Sequence, residues 1–123
     1  MKGLHIGDLQ IKLPIIQGGM GIGISMSRLA AAVANEGGVG VIAAVGLGMF
    51  EKDFSKNYIE SSIRALKREI QAAREKTSGI IGVNIMVALT NFSDMVKTAI
   101  AEKADIIFSG AGLPMNLPEF LTQ

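Results

Sequence analysis

Four apolar segments alternate with three amphipathic ones along the chain, and this alternation restricts the fold more than any other feature of the sequence. The apolar segments are short and carry aliphatic residues at consecutive positions, which is typical of strands buried on both faces. They comprise residues 14–17, 39–44, 80–86 and 104–108. Between them, apolar residues recur every three or four positions, as on the buried side of a helix. The sequence therefore predicts an α/β fold with about four parallel strands and intervening helices.

The limits of the first two helices follow from residues that favour helix ends. Ser25 or Ser27 can cap the first helix, and Gly37 is well placed just after its last turn. The second helix is the clearest in the chain and is expected to begin at Ser55 and to end before Gly79. Its apolar residues fall on one stripe and its charged residues fall off it.

The third helix and the N-terminal segment are predicted in the same way. Asn91 or Ser93 can cap the third helix, and four of its residues are expected to face inward, namely Met95, Val96, Ala99 and Ile100. Residues 1–13 alternate well enough to predict a short, half-buried β-hairpin with its turn at Gly7 and Asp8. The hairpin precedes the first parallel strand and would close one end of the sheet.

Two architectures can hold such units, an open doubly wound sheet and a (β/α)₈ barrel, and periodicity does not separate them. A complete barrel needs ~250 residues, so a chain of 123 residues would supply about half of one. Residues 116–120 also resemble the start of a helix, yet the sequence ends at Gln123 within one turn. We therefore expect residues 1–123 to form the N-terminal half of a TIM (β/α)₈ barrel whose last unit is incomplete. Its open sheet edges should favour self-association.

The composition excludes several classes of function. The net charge is +1 and 5% of the residues are aromatic, so the chain lacks the basic surface and stacking side chains of nucleic-acid-binding proteins. The sequence contains no cysteine, which removes disulfide frameworks and thiolate metal sites, and we expect no metal. The N terminus lacks a secretory signal, and the longest uncharged run after the first glycine-rich motif, residues 37–50, is too short to span a bilayer. We expect a cytoplasmic protein without a membrane partner.

The glycine-rich segments differ in what they can bind. Gly38, Gly40 and Ala43 match the spacing of a dinucleotide-binding fingerprint, but they follow a predicted helix and lead into a strand. The fingerprint needs the opposite order, because the pyrophosphate must meet a helix N-terminus. Residues 18–23 instead lie just past a buried strand, where α/β enzymes bind their ligands. Glycines there either let the main chain approach a flat ring or only make a tight turn, and spacing alone does not decide.

A polar residue and a second group of small residues accompany two further strands. Asn84 stands within the apolar segment 80–86, where a buried carboxamide needs hydrogen-bond partners from the backbone or from a ligand ring. Residues 109–112 are again small and follow the last predicted strand. Because parallel strands share one carboxyl-end edge, we expect residues 18–21, Asn84 and residues 109–111 to cluster on one face.

Four blocks of the sequence together resemble the nitronate monooxygenase family, formerly called 2-nitropropane dioxygenases. They are residues 14–21 (PIIQGGMG), 29–40 (LAAAVANEGGVG), 82–86 (GVNIM) and 109–114 (SGAGLP). The flavin-dependent enoyl-acyl-carrier-protein reductases are similar in the same blocks. The blocks extend over nearly the whole chain in the right order, so the resemblance is more specific than any single motif.

The resemblance implies a (β/α)₈ barrel that binds FMN at the C-terminal face of its strands. By analogy, the residues that would contact the flavin are Gly19, Met20, Gly21, Asn84, Ser109, Gly110 and Ala111. The first three would lie along the isoalloxazine, the asparagine would hydrogen-bond its polar edge, and the last three would line the pocket. The catalytic histidine and the phosphate-binding loops lie in the later half of such barrels. We therefore expect no catalytic residue within this chain.

The resemblance also implies a reaction. Nitronates or nitroalkanes would be oxidised with O₂, the substrate carbanion reducing FMN before O₂ reoxidises it and oxygenates the substrate. The alternative within the resemblance is an NAD(P)H-dependent flavin enoyl-acyl-carrier-protein reductase, and the distinction depends on residues beyond this sequence. A hypothesis of another class is a non-catalytic half-barrel that binds flavin weakly or associates with another chain. The downstream reading frame separates this hypothesis from the other two, because it either continues with βα units or stops.

Overall fold

The parallel sheet predicted from the apolar segments is the centre of the computed structural model, which describes residues 1–122. Gln123, where the sequence ends, lies outside the described residues. The strands are β1 (Leu4–Ile6), β2 (Leu9–Ile11), β3 (Val39–Ala43), β4 (Ile80–Met86) and β5 (Ile106–Gly110). The α-helices are α1 (Ser27–Asn35), α2 (Tyr58–Lys76), α3 (Phe92–Ala101) and α4 (Leu117–Leu121), and a short 3₁₀ helix covers Leu47–Phe50.

Strands β3, β4 and β5 are parallel and lie side by side in chain order, with α2 and α3 as their connections. Side chains alternate between the two faces of each strand. On one face, Ile81, Val83 and Ile85 of β4 are fully buried in a core that they share with the helices. The other face carries Asn84 and Met86, and we call it the inner face. The predicted α/β class and the parallel order of these strands are confirmed.

The N-terminal hairpin covers one end of the inner face. Strands β1 and β2 pair antiparallel around a turn at Gly7 and Asp8, as the sequence predicts. From the hairpin, Ile11 is fully buried in one cluster with Val39 and Val41 of β3. These two valines lie in the first part of β3, so the hairpin closes the inner face toward the N-terminal ends of the strands. The carboxyl ends are left to the connecting loops.

The first predicted strand, residues 14–17, is reduced to a single bridge between Ile16 and Val39. The prediction of a full strand there is wrong because a side chain takes the place of the backbone in the ladder. The N–H of Val41 donates to Oε1 of Gln17 at 3.0 Å. Past that point the chain turns away from the sheet, and the N–H of Ala43 is accepted by the carbonyl oxygen of Ser25 at 2.9 Å.

The last predicted strand, residues 104–108, begins later than expected, because β5 covers Ile106–Gly110. Asp105 instead ties the approach to β5 to the start of β4. Its N–H donates to the carbonyl oxygen of Ile81 at 2.8 Å, and its carboxylate accepts the N–H of Ile81 at 2.8 Å. The same carboxylate pairs with Arg74 of α2 at 2.7 Å. The shift places Ser109 and Gly110 inside the strand rather than after it.

The first helix is not capped by a serine, in contrast to the sequence-based prediction. It begins at Ser27, and the residue at its N-cap position, Met26, provides no side-chain hydrogen bond. The carboxylate of Glu69 from α2 accepts the Ser27 N–H instead, at 2.9 Å. A carboxylate suits this place because the first N–H groups of a helix lack intrahelical partners and carry a partial positive charge. Gly37 ends the helix as predicted, with a φ of +94°.

The second and third helices also begin differently from the expected capping pattern. Helix α2 starts at Tyr58 rather than Ser55, because residues 53–57 form a turn in which the Asn57 N–H donates to the Asp53 carbonyl oxygen at 2.8 Å. At the start of α3, the side chain of Asn91 accepts a hydrogen bond from the Tyr58 hydroxyl at 3.4 Å and caps nothing. Three of the four residues expected to face inward are buried, whereas Ile100 is exposed.

Both sides of the sheet end in apolar grooves. Next to residues 14–17, a groove of about 310 Å³ has a lining that includes Leu13, Ile15 and Val33. Next to β5, a groove of about 390 Å³ has a lining that includes Ile107 and Leu117. Among residues 1–122, no further strand pairs with the outer edge of β5.

We expect residues 1–123 alone to self-associate, because covering these grooves removes apolar surface from water. Replacing Ile15 by glutamate should raise the dissociation constant of self-association roughly tenfold or more, equivalent to ~1.4 kcal/mol. Leu113→Glu is the control, since Leu113 is an exposed leucine that lines neither groove. Sedimentation velocity over a concentration series measures the effect. A compact monomer of the unaltered chain with a cooperative melt would contradict the prediction.

Candidate cofactor site at the carboxyl ends of the strands

The structure brings Gly19 and Asn84 together with the end of β5. A Cβ atom on Gly19 would lie 2.6 Å from Cβ of Asn84 and 2.9 Å from its Cγ, so the main chain at Gly19 rests directly on the carboxamide. Nδ2 of Asn84 donates to the carbonyl oxygen of Phe108 in β5 at 3.2 Å. Three segments that are remote in sequence therefore meet at one place, at the end of the sheet where the sequence predicts a ligand.

The carboxamide of Asn84 is only partly used by the protein. One of its N–H groups is fixed by Phe108, while no donor among residues 1–122 hydrogen-bonds its Oδ1. That oxygen lies 3.1 Å from the position that a Cβ on Gly19 would occupy. Its neighbour on β3 is Ala43, whose side chain is small. Asn84 can therefore offer one acceptor and one remaining donor to a ligand beside Gly19.

The glycine-rich loop, residues 18–24, is held by Ser25, which is almost fully buried. Oγ of Ser25 accepts the Met20 N–H at 2.9 Å and Nε2 of Gln17 at 3.1 Å, and it donates to the Gly18 carbonyl oxygen at 3.3 Å. The Ser25 N–H donates to the Met20 carbonyl oxygen at 2.9 Å. Sequence reasoning missed Gln17 and Ser25 as site residues. Their polar side chains at the two ends of the glycine-rich segment were the available signal.

The loop keeps main-chain donors free on its exposed side. Residues Gly18 to Gly21 are all exposed, and Met20 is 61% exposed. Within the described part of the chain, the N–H groups of Gly18, Gly19 and Gly21 have no hydrogen-bond acceptor. Successive free N–H groups without side chains in the way can bind the electronegative atoms of a ligand.

A second loop, residues 44–50, forms an apolar rim with the first. The ring of Phe50 lies against Gly23, and the side chain of Ile22 lies against Gly46. Five large apolar side chains of this rim are more than 45% exposed: Met20, Ile22, Ile24, Met49 and Phe50. Such a surface suits the hydrocarbon part of a ligand.

The three predicted site residues at the end of β5 are placed differently from one another. Gly110 is level with Met86 on the inner face, and the space that its Cβ would enter is empty. Ser109 pairs with Ile85, so its side chain lies on the helix-facing side, away from Asn84, where its Oγ is buried without a partner. Ala111 follows the strand with a φ of +55°. Of the three, Gly110 has the geometry of a residue that lines the inner face.

Two arginines of α2 near the loop after β3 are already paired with carboxylates that follow this loop in sequence. Arg68 binds Glu51 at 2.6 Å, and Arg64 binds both Glu51 and Asp53. The hydrogen bond from Arg68 lowers the pKa of Glu51, and hydrogen bonds from Asn57 and then Arg64 lower the pKa of Asp53. Both carboxylates therefore stay ionised and neutralise these arginines, which are not free for a phosphate.

The described residues carry neither a metal cluster nor a membrane-spanning helix. Within residues 1–122, no three histidine, aspartate or glutamate side chains are placed to hold a metal ion. No helix in the same stretch is both long enough and apolar enough to cross a membrane.

Comparison with known proteins identifies a family and similar solved structures. A family model described as nitronate monooxygenase matches residues 3–115. FabK from Thermotoga maritima is 33% identical with a TM-score of 0.72, and the match covers 91% of this chain and 31% of FabK. A point mutant of FabK gives the same identity and TM-score and is covered over 33% of its length. No curated protein matches the sequence.

The chain thus spans about a third of the length of the solved structures that it matches. Its hairpin, its parallel strands in chain order and the helices on one face correspond to the first part of a TIM (β/α)₈ barrel, as the sequence predicts. An open doubly wound sheet is not needed to explain these units. Because the family model matches nearly the whole sequence, the chain belongs to the nitronate monooxygenase family.

Proposed function

We propose that the complete protein is an FMN-dependent oxidoreductase that oxidises nitronates or nitroalkanes with O₂, and that this chain supplies one wall of its flavin site. The observation that carries the proposal is the contact of Gly19 with Asn84 at the carboxyl ends of the strands. Barrels of this type bind their ligands at that end. Family membership supports a flavin as the ligand.

The residues at this end fit a flavin ring. A flat ring needs a surface without side chains on one side, which Gly18 and Gly19 provide. The polar edge of the ring carries carbonyl and N–H groups, which complement the free N–H groups of the loop and the unused carboxamide atoms of Asn84. Bound FMN would supply the electron-transfer chemistry.

The role of these residues is to bind and orient rather than to transfer protons. Asn84 holds one orientation, because its Nδ2 is fixed on Phe108, and so it selects which polar edge can dock. The apolar rim, which is exposed without a ligand, would exclude water from that side of the site once a ligand covers it. His5, the one histidine of the sequence, lies in β1 at the other end of the strands. We propose that proton transfer and phosphate binding belong to later units of the barrel, and that the protein is cytoplasmic.

A second candidate function is the NAD(P)H-dependent reduction of enoyl-acyl-carrier-protein substrates. The likeness to FabK, at 33% identity, favours this candidate. Both candidate functions would use the same flavin-binding residues of this chain, so these residues do not distinguish the two functions. The third hypothesis, a non-catalytic half-barrel that associates with another chain, is favoured only by the open apolar grooves.

The first test is to purify the product of the complete reading frame. We expect a yellow protein that releases FMN on denaturation and consumes O₂ in the presence of a nitronate. Reduction of its flavin by NAD(P)H, with turnover of an enoyl thioester and no nitronate oxidation, would assign the second function instead. A colourless product that ends at residue 123 would support the third.

Asn84→Ala in that protein should weaken FMN binding about fivefold without unfolding it, because it removes hydrogen bonds worth ~1 kcal/mol net. Asn35→Ala is the matched control. Its carboxamide also donates to a backbone carbonyl, that of Lys76 at 3.1 Å, but it lies in α1 away from the loop. Flavin fluorescence quenching gives both affinities. Equal affinities in the two variants would place the flavin elsewhere.

Gly19→Ala should destabilise the protein and lower its flavin affinity, because the new methyl group would stand 2.6 Å from Cβ of Asn84. A double-mutant cycle with Asn84→Ala tests this contact. Removing the carboxamide relieves part of the clash, so the two effects on urea stability should fall short of additivity by at least ~0.5 kcal/mol. Strictly additive effects would show that the two residues are not in contact.

A further inference from the structure

The open edge of β3 is completed by atoms that do not belong to a strand. Its N–H groups at Val39, Val41 and Ala43 are accepted by the Ile15 carbonyl oxygen at 2.9 Å, by Oε1 of Gln17 at 3.0 Å and by the Ser25 carbonyl oxygen at 2.9 Å. A continuous strand would have used the main-chain carbonyl of Gln17 for the second of these bonds. The side chain of Gln17 therefore frees the chain to leave the sheet after that residue.

Because the Gln17 side chain replaces a main-chain acceptor, the glycine-rich loop can leave the sheet after Gln17. The chain returns to the sheet at Ser25. At the base of the loop, Nε2 of Gln17 donates to Oγ of Ser25, and Met20 and Ser25 exchange two hydrogen bonds. Ser25 is 1% exposed, so its own end of these bonds is shielded from water. Gln17 and Ser25 thus fasten the loop to β3, at the strand that neighbours β4 and its Asn84.

We propose that Gln17 and Ser25 are positioning residues that preorganise the glycine-rich loop for the flavin ring. The inference rests on the proposed function, since it assigns these residues to the same site. Neither residue needs to touch the ring. Ser25 sets the direction of the Met20 peptide, and with it the placement of the free N–H groups of Gly19 and Gly21 on either side.

The composition of the loop makes such a fastening necessary. Four of its seven residues are glycine, at positions 18, 19, 21 and 23, and glycine has the largest backbone freedom to lose on ordering. A loop without the fastening would have to lose that freedom when the flavin binds, which weakens affinity. With Gln17 and Ser25 in place, most of the ordering occurs during folding.

The test uses the product of the complete reading frame and four variants. Ser25→Ala removes the hydroxyl, and Ser25→Thr keeps it. Gln17→Met keeps the length of the side chain but removes both of its hydrogen bonds. Thr77→Val is the matched control, because Thr77 is a buried residue whose Oγ1 accepts a backbone N–H, that of Gly79 at 2.9 Å, just before the start of β4.

We expect Ser25→Ala to weaken FMN binding on the order of tenfold, the equivalent of ~1.4 kcal/mol, and Gln17→Met to weaken it less. The reduction potential of the bound flavin should become more negative in Ser25→Ala, because N–H groups held against the ring favour its reduced, more electron-rich form. Amide hydrogen exchange of Met20 in the flavin-free protein should accelerate in the same variant. Ser25→Thr should recover most of the affinity, and Thr77→Val should change neither affinity nor potential.

The outcomes separate this inference from the proposed function. If the unaltered protein binds no flavin, the proposed function fails and the inference fails with it. If the unaltered protein binds flavin but Ser25→Ala keeps its affinity, potential and exchange rate, only the inference fails. If Ser25→Ala and Thr77→Val lower affinity equally, in proportion to their loss of stability, Ser25 contributes to folding alone and the inference is again overturned.

Discussion

The hydrogen-bonding edge of β3 is the constraint on which the candidate site depends. Each N–H on that edge needs an acceptor, because an unpaired buried backbone donor costs about as much as a lost hydrogen bond. A regular strand would have met this need and would have carried residues 18–24 along the sheet. Here the acceptors are Oε1 of Gln17 for the Val41 N–H and the carbonyl oxygen of Ser25 for the Ala43 N–H. The glycine-rich loop can then project over the carboxyl end of the sheet.

The two ends of the inner face have different roles, because one end stabilises the fold and the other offers atoms for binding. Toward the N-terminal ends of the strands, Ile11 of the hairpin fills the space against Val39 and Val41. Toward the carboxyl ends, Ala43 and Asn84 lie side by side, and the ring of Phe108, which is level with Asn84, lies over Gly82, so a small side chain and a carboxamide are left at this end. The apolar end stabilises the sheet. The other end keeps unused polar atoms, which is the arrangement expected of a barrel that binds its ligand at the carboxyl ends.

Sequence reasoning succeeded where the signal was a repeated pattern. Strand β4 was predicted with both of its limits, and the hairpin turn at Gly7 and Asp8 and the helix end at Gly37 were also correct. The prediction that Asn84 lies near the glycine-rich loop followed from parallel strand order and agrees with the contact at Gly19. Sequence reasoning failed where a polar residue could serve several purposes equally well. Ser25 and Ser27 are both candidate helix caps in the sequence, whereas in the structure Ser25 fastens the loop.

The sequence by itself determined the fold class, the order of the strands and the end of the sheet that carries small and polar residues. These properties depend on hydrophobic periodicity and on turn residues, which act over a few neighbouring positions. Only the tertiary structure decided which atoms complete the edge of β3, which carboxylate caps α1 and which side of β5 receives the Ser109 side chain. The reason is distance along the chain, since Gln17 meets Val41 across 24 residues and Ser27 meets Glu69 across 42. A local pattern can show that a polar group needs a partner, but the folded chain selects the partner.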